Sequence, residues 1–506
     1  LFGLDFARRC GSGYISGGKT MATGFKEIFP QKRKTDRLLT AGLCLLALFV
    51  YRFTISTGVY PGESARLMAT YSGVTPLELP LRPIWGAIVS WLSSISLFTL
   101  PLRLNLFSML CTVVTVGLLY RLMAFLIHEL IYEEYSVEYS ARVSQWAGAV
   151  SAIAFMFAAP VWQSATRLQY QSFNMLLALT SASLLISFAH TQWRVFLVAF
   201  ALLQGVGVVE SVMFIPLAPV FLVFLVFVLW KQKQLSLARV AWMGLISAAG
   251  LGLYYLAARG FMVSQDAEAL GFTSPLDVMV AVWKAQLAEL RSGLPRVNWL
   301  ILLLTSIVPW LAAFFASFRA LNNERSWSQY ILHLTLTVLV MLGLCNAAIS
   351  PWEILKPLGR LPVWAYTLLA MTAGYLVAYW YLLLKVERPR RGQATSVVTK
   401  QAGDWFGLII TYPLIAVVIF AALINAMECR GSRGAFADRC AREILDRLGS
   451  RTWFVTDGTL DAHLQILARE RGQELNLLCL QNDMSPFYLK WMARQIESKN
   501  LFAPND

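Results

Sequence analysis

About twelve stretches of this chain are apolar over the length that a helix needs to cross a hydrocarbon core about 30 Å thick. They fall at 38–54, 83–100, 104–127, 145–162, 173–190, 194–209, 212–230, 239–257, 299–319, 330–350, 362–384 and 404–426. In lipid, every backbone N–H and C=O must be satisfied within the structure, so a crossing is a helix or a strand of a closed barrel. Barrel strands alternate apolar and polar residues, and these stretches do not. The chain therefore reads as an α-helical polytopic membrane protein. Its composition agrees: 57% of its residues are hydrophobic and 14% charged, against about a quarter charged in soluble domains.

The net charge of +14 invites a nucleic-acid reading, but the basic residues sit elsewhere. QKRKTDR (31–37), KQKQ (231–234) and KVERPRR (385–391) lie at span ends, the positive-inside pattern of cytoplasmic loops. No nucleic-acid partner is expected. Residues 1–37 read as a basic cytoplasmic tail, and 38–54 as a signal anchor without a cleavage site. The first Met is Met21, so residues 1–20 are expected not to be native.

Parity then limits the count. With the N-terminus inside and every stretch crossing, KQKQ would fall outside, against the charge rule. One early stretch fails to span or one hides a second crossing, which predicts 11 to 13 spans. GVGVVES interrupts 194–230 and marks that region as the expected place of the miscount. The transmembrane domain is 38–426, with a first external loop over 55–82. Beyond it, 427–506 changes character. WFVTDG, LDAHLQILARERG, LNLLCLQ and SPFYLKWMARQIES alternate strand, helix, strand, helix, which predicts a small extracytoplasmic α/β domain with parallel strands. Two such units are too few for a stable sheet, so the domain reads as incomplete. A bacterial inner membrane is the expected location.

Few residues announce chemistry. Gly13 to Thr20 spells G-x-x-x-x-G-K-T, but a phosphate-binding loop needs a preceding strand and a following helix; LFGLDFARRC is a poor strand, and Pro30 cuts the next segment short. The seven cysteines and four histidines form no metal-ligand spacing. Cys429 and Cys440 flank a short hydrophilic stretch and would suit a disulfide in an oxidising compartment. Glu63, in YPGES, is one of four charges in the first loop, with Arg66, Glu78 and Arg82. Glu210 lies in a long apolar region, where an ionisable group serves either a structural hydrogen bond or a functional site. Arg167 stands between two spans, free to snorkel or to meet a lipid phosphate.

Several stretches together resemble one family, the polytopic proteins that include a eukaryotic transmembrane protein O-mannosyltransferase and that are similar to the GT-C superfamily of lipid-dependent glycosyltransferases. Its acidic D-x-G-E motif in the first external loop is here Tyr60-Pro61-Gly62-Glu63. A His-Pro-rich segment appears in altered form as Leu79 to Trp85. R-L-N-L-F-S is intact as Arg103 to Ser108, W-S-Q-A-x-x-x-E-x-Y appears as Trp162 to Gln171, and G-x-x-x-G-x-H-x-x-x-x-x-x-P as Gly205 to Pro216. The T-x-G-D that opens the family's soluble tail is represented by Thr456-Asp457-Gly458. Tyr60, Gln169 and Glu210 replace the family's Asp, Glu and His.

The resemblance implies a GT-C-like fold and an inverting transfer of a sugar from a polyprenyl-phosphate-linked donor to a protein or glycan hydroxyl on the extracytoplasmic face. It makes Glu63 the base, Arg82, Arg103 and Arg167 candidates to bind the departing phosphate, and Glu210 a candidate substrate contact; any divalent metal is left open. Two other readings stand beside it. A lipid or sugar transporter would need a polar pathway, for which Glu210 is the best sign. A non-catalytic assembly protein would present its C-terminal domain to partners.

Overall fold

The computed structural model describes residues 30–131, 137–293, 327–345, 363–384, 397–449 and 451–480, with 489, 490 and 493. The stretch 13–20, the basic run 385–391, the segment 299–319 and the helix expected over SPFYLKWMARQIES lie largely or wholly outside these residues.

The described chain is a helical bundle followed by a short α/β unit. The helices are α1 (Pro30–Thr54), α2 (Glu63–Tyr71), α3 (Pro83–Ser94), α4 (Leu100–Ile131), α5 (Val137–Phe157), α6 (Ala159–Thr166), α7 (Tyr170–Thr191), α8 (Arg194–Glu210) and α9 (Phe214–Lys231). There follow α10 (Leu237–Leu251), α11 (Leu253–Met262), α12 (Gln265–Ala269), α13 (Pro275–Gly293), α14 (Trp327–Cys345), α15 (Val363–Leu384) and α16 (Val397–Glu428). Among the described residues, five helical stretches are long and apolar enough to cross a membrane, or six when α5 and α6, bent by 65°, count as one. This is an integral membrane protein.

Buried polar side chains fix which helix ends meet. Asp36, near the start of α1, takes hydrogen bonds from Tyr120 (3.3 Å) and Gln145 (2.8 Å). At the other end of α1, Asn105 donates to the Ser56 carbonyl (2.8 Å) and the Trp162 indole to Thr54 (2.8 Å). So α1 and α4 run antiparallel, and the start of α4 and the end of α6 share one end of the bundle with the loop after α1. The main core lies between α1, α4, α5, α6, α14, α15 and α16, around Tyr51, Tyr120, Phe155, Trp162 and Trp380.

Two of the early apolar stretches are broken. Stretch 83–100 is not one long helix: α3 has 12 residues, about 18 Å, too short for a core of about 30 Å. Stretch 194–230 is two separate helices, α8 and α9, joined at 211–213. Neither α8 nor α9 is among the stretches counted above as long and apolar enough to cross. Arg82 and Arg103 flank the short α3.

Close packing of α8 on α10 depends on missing side chains. A Cβ at Gly205 would lie 1.9 Å from the Ser247 carbonyl oxygen, and one at Gly250 2.6 Å from that of Leu202. Small residues let membrane helices approach in this way. Gly205→Leu is expected to separate the two helices and lower the thermal midpoint in detergent by several degrees, read by unfolding monitored through tryptophan fluorescence.

The C-terminal unit contains α17 (Ala435–Leu448), β1 (Trp453–Thr456), α18 (Asp461–Glu470) and β2 (Asn476–Cys479). The strands pair in parallel, Trp453 with Asn476 through Thr456 with Cys479, and α18 is the crossover that parallel pairing requires. Cys429 is buried and Cys440 exposed, and both are free thiols, so the expected disulfide is absent. Cys429 instead points its thiol at the Ala159 carbonyl (3.5 Å).

His463 of α18 is fully buried. Burial pushes its imidazole pKa down, and the charge of Asp438 opposes this only in part. The charged groups on the elements packed around it are Glu63 and Arg66 on α2, Asp438, Arg439, Arg442, Glu443, Asp446 and Arg447 on α17, and Asp461, Arg469 and Glu470 on its own helix. A released imidazole takes its proton near pH 6.5, and the buried one only below that. The unfolded state therefore binds more protons in that window, so stability rises with pH there and is lost as pH falls. The unit is expected to melt at a lower temperature at pH 5 than at pH 7.5, and His463→Gln to reduce that difference.

Candidate active site

The loop joining α1 to α2 ends in Pro61 and Gly62. Gly62 has φ +88° and ψ −141°, a conformation that costs a residue with a Cβ roughly 1–3 kcal/mol. The turn delivers Glu63 as the first residue of α2, where the helix N-terminus favours a negative charge. Glu63 is partly exposed, and among the described residues its carboxylate has neither a hydrogen bond nor an ion pair. A carboxylate so placed keeps its lone pairs for a ligand.

Arg82 lies where the charge of Glu63 acts on it. Its guanidinium pairs with Glu289 at 2.6 Å and stacks over the Tyr170 ring at 3.4 Å. Tyr170 donates its hydroxyl to the same Glu289 oxygen (3.3 Å) and also feels Glu63. Trp85, wholly buried, meets Tyr71 edge-on at 5.0 Å and Tyr170 at 6.3 Å. Burial pushes the Tyr71 phenol up to about 12, so it stays a proton donor at neutral pH. Arg82, Glu289, Tyr71, Trp85 and Tyr170 thus form one neighbourhood of a cation, its carboxylate partner and flat aromatic faces, which the charge of Glu63 reaches.

The other sequence candidates stand at the same end of the bundle with different partners. Arg103 donates to the carbonyls of Ser93 (3.0 Å), Leu97 (3.0 Å) and Ile95, closing the turn between α3 and α4. Two more residues of R-L-N-L-F-S act alike: Asn105 holds Ser56, and Ser108 brackets the Gln169 backbone, from N–H (3.2 Å) to carbonyl (3.3 Å). Arg167 is nearly buried, 3.5 Å above the Tyr60 ring, and its Nε has no acceptor among the described residues. The tyrosine at the family's Asp position thus offers this cation a π face.

Glu210 ends α8 and is 1% exposed. Its two oxygens accept the backbone N–H groups of Ile84 (2.9 Å) and Trp85 (2.7 Å). The first turn of α3 has no other unpaired donors, since Pro83 has no N–H and Gly86 already donates to the Arg82 carbonyl (2.8 Å). Of the two roles open to Glu210, the structure displays the structural hydrogen bond.

Sequence reasoning did not nominate Glu289, Tyr170, Tyr71 or Trp85. Glu289 is 207 positions from Arg82, on a helix with several other charges, and no local pattern distinguishes it. The conjunction of Glu63 with Arg82 had a weak signal in their shared loop. Among the described residues, no group of three or more His, Cys, Asp or Glu could hold a metal.

Fold and site define a polytopic helical membrane protein with an open carboxylate and a clamped arginine gathered at one end of its bundle. Residues 77–236, about a third of the chain, match the family model of the protein O-mannosyl-transferase TMEM260 N-terminal domain. The match includes Arg82, Arg103, Arg167 and Glu210 and begins after Glu63. No curated protein matches the chain. Among solved structures, the crystal structure of ArnT from Cupriavidus metallidurans bound to undecaprenyl phosphate is similar at 12% identity, covering 93% of this chain and 91% of that one, with a TM-score of 0.39.

Proposed function

We propose that the protein transfers a glycosyl group from a polyprenyl-phosphate-linked donor to a hydroxyl on a protein or glycan, at the extracytoplasmic face. The observation that carries this reading is the unpaired carboxylate of Glu63 at the start of α2, in the segment before α3 that also ends in the clamped Arg82. The match of residues 77–236 to an O-mannosyl-transferase domain supports it and favours a mannosyl group. The basic runs 31–37 and 231–234, with the positive-inside character of cytoplasmic loops, support the extracytoplasmic placement.

In the proposed step, Glu63 takes the proton of the acceptor hydroxyl as its oxygen bonds to the anomeric carbon. The bond from that carbon to the phosphate oxygen breaks on the opposite face, and the lipid phosphate leaves with the electron pair, inverting the centre. Arg82 stabilises the charge that develops on the phosphate, with Glu289 and Tyr170 holding its guanidinium in place. Arg167 is the second cation available to that phosphate, and Arg103 acts through the turn it closes. The aromatic faces of Tyr71 and Trp85 suit a sugar ring. The transporter reading loses its best sign, since both oxygens of Glu210 are occupied by α3.

The test is Glu63→Gln in full-length protein reconstituted in vesicles with a polyprenyl-phosphate mannose donor and a hydroxyl acceptor. Full retained turnover would remove Glu63 from the role of base.

A further inference from the structure

The loop that carries Glu63 is gripped by the distant C-terminal unit. Val59, four residues before Glu63, is held at its backbone carbonyl, which accepts from His463 Nε2 at 3.2 Å. A carbonyl only accepts, so the proton lies on Nε2. Asp438 presses so close that a Cβ on Gly58 would lie 2.0 Å from Asp438 Oδ2. At the far end of α2, Arg469 donates to the carbonyl of Ser72, the residue that caps the helix. Between the two grips, Ile466 packs with Val59, Ala65, Leu67 and Met68. Helix α18 therefore lies along α2 and holds both of its ends.

We infer that the C-terminal α/β unit sets the position of the Glu63-bearing helix, with His463 and Asp438 as positioning residues. The physical argument is one of local stability. A nine-residue helix is marginal by itself, and a loop segment opens easily unless buried contacts hold it. Both grips reach backbone groups more than 350 residues away in sequence, and that of His463 comes from a fully buried side chain. The catalytic consequence rests on the proposed function: if Glu63 is the base, a displacement of about 1 Å would cost turnover steeply. Neither His463 nor Asp438 touches Arg82 or Glu63 in any hydrogen bond or ion pair that the described residues make, so their effect would pass through Val59.

The test uses the full chain in lipid nanodiscs, with hydrogen exchange as the first readout and mannosyl transfer from the polyprenyl-phosphate donor as the second. His463→Ala and Gly58→Ala, which attack the grip from opposite sides, are each expected to speed amide exchange in residues 59–72 by about tenfold or more. Exchange in the membrane-buried part of α4 stays unchanged. Turnover at saturating donor is expected to fall about tenfold or more, with KM moving by less than about threefold. His463→Gln, which keeps an N–H for Val59, restores most of both. Unchanged exchange in 59–72 for both variants overturns the inference. Faster exchange with full turnover, while Glu63→Gln is inactive, overturns the positioning role. If Glu63→Gln is itself fully active, the proposed function has failed, and the exchange readout alone decides whether the grip exists. Should His463→Ala fail to fold, Gly58→Ala decides.

Discussion

Glu63→Gln is expected to lower turnover by about two orders of magnitude or more while leaving the fold and donor binding nearly unchanged. The size follows from the role: a positioned general base typically contributes about 10²–10⁴-fold, and 100-fold corresponds to about 2.7 kcal/mol of barrier. The fold should not suffer, because the carboxylate makes no hydrogen bond or ion pair among the described residues; an isosteric amide at a partly exposed helix start falls among substitutions worth about 0.5 kcal/mol or less. The loss should appear in kcat and in kcat/KM alike, since a base acts in the transition state and not in donor binding. Glu63→Asp offers the matching control: it keeps the charge but shortens the reach, so partial activity is expected. Initial rates across donor concentrations, with thermal unfolding on the same samples, check all three statements. A fully active Glu63→Gln protein would leave Glu289 as the other carboxylate beside Arg82, the next group to replace.

What could be read in the sequence was whatever local pattern dictates. Apolar length declared the membrane helices, and the alternation of short apolar and amphipathic runs after 450 declared a parallel pair with its crossover. The failure at 83–100 has a local cause in hindsight. Composition there is that of a span, but Pro101 cannot be carried through a helix interior, and the chain breaks after Ser94 before restarting at Leu100. Arg103 then caps the broken end, which explains an arginine that the sequence could only offer to a phosphate. Long-range pairings were invisible in principle. The Arg82–Glu289 pair spans 207 positions and the His463–Val59 bond 404, and no periodicity encodes either. Glu63 was within reach of sequence reasoning because a turn, Pro61-Gly62, announces the helix start that presents it. The surroundings that make it useful come from four other segments of the chain.

Glu210 should prove the more important carboxylate for folding. Replacing it with Ala would leave the N–H groups of Ile84 and Trp85 without acceptors at the start of α3, where Trp85 is wholly buried. A buried donor left without an acceptor costs about 1–3 kcal/mol, so Glu210→Ala, which strands two, is expected to destabilise by about 2–5 kcal/mol, among the larger effects of a single substitution. Glu210→Gln should fall between. Its carbonyl oxygen can still accept one N–H, but its amide nitrogen would face the other, donor against donor. Activity should follow the same order, because α3 begins one residue after Arg82 and its register sets where that guanidinium meets Glu289 and Tyr170. Unfolding in detergent and transfer rates for the three proteins would separate this role from a substrate contact. A cap loses stability and turnover together, Ala worse than Gln. A substrate contact would raise KM at unchanged stability, and that outcome would return Glu210 to the binding site.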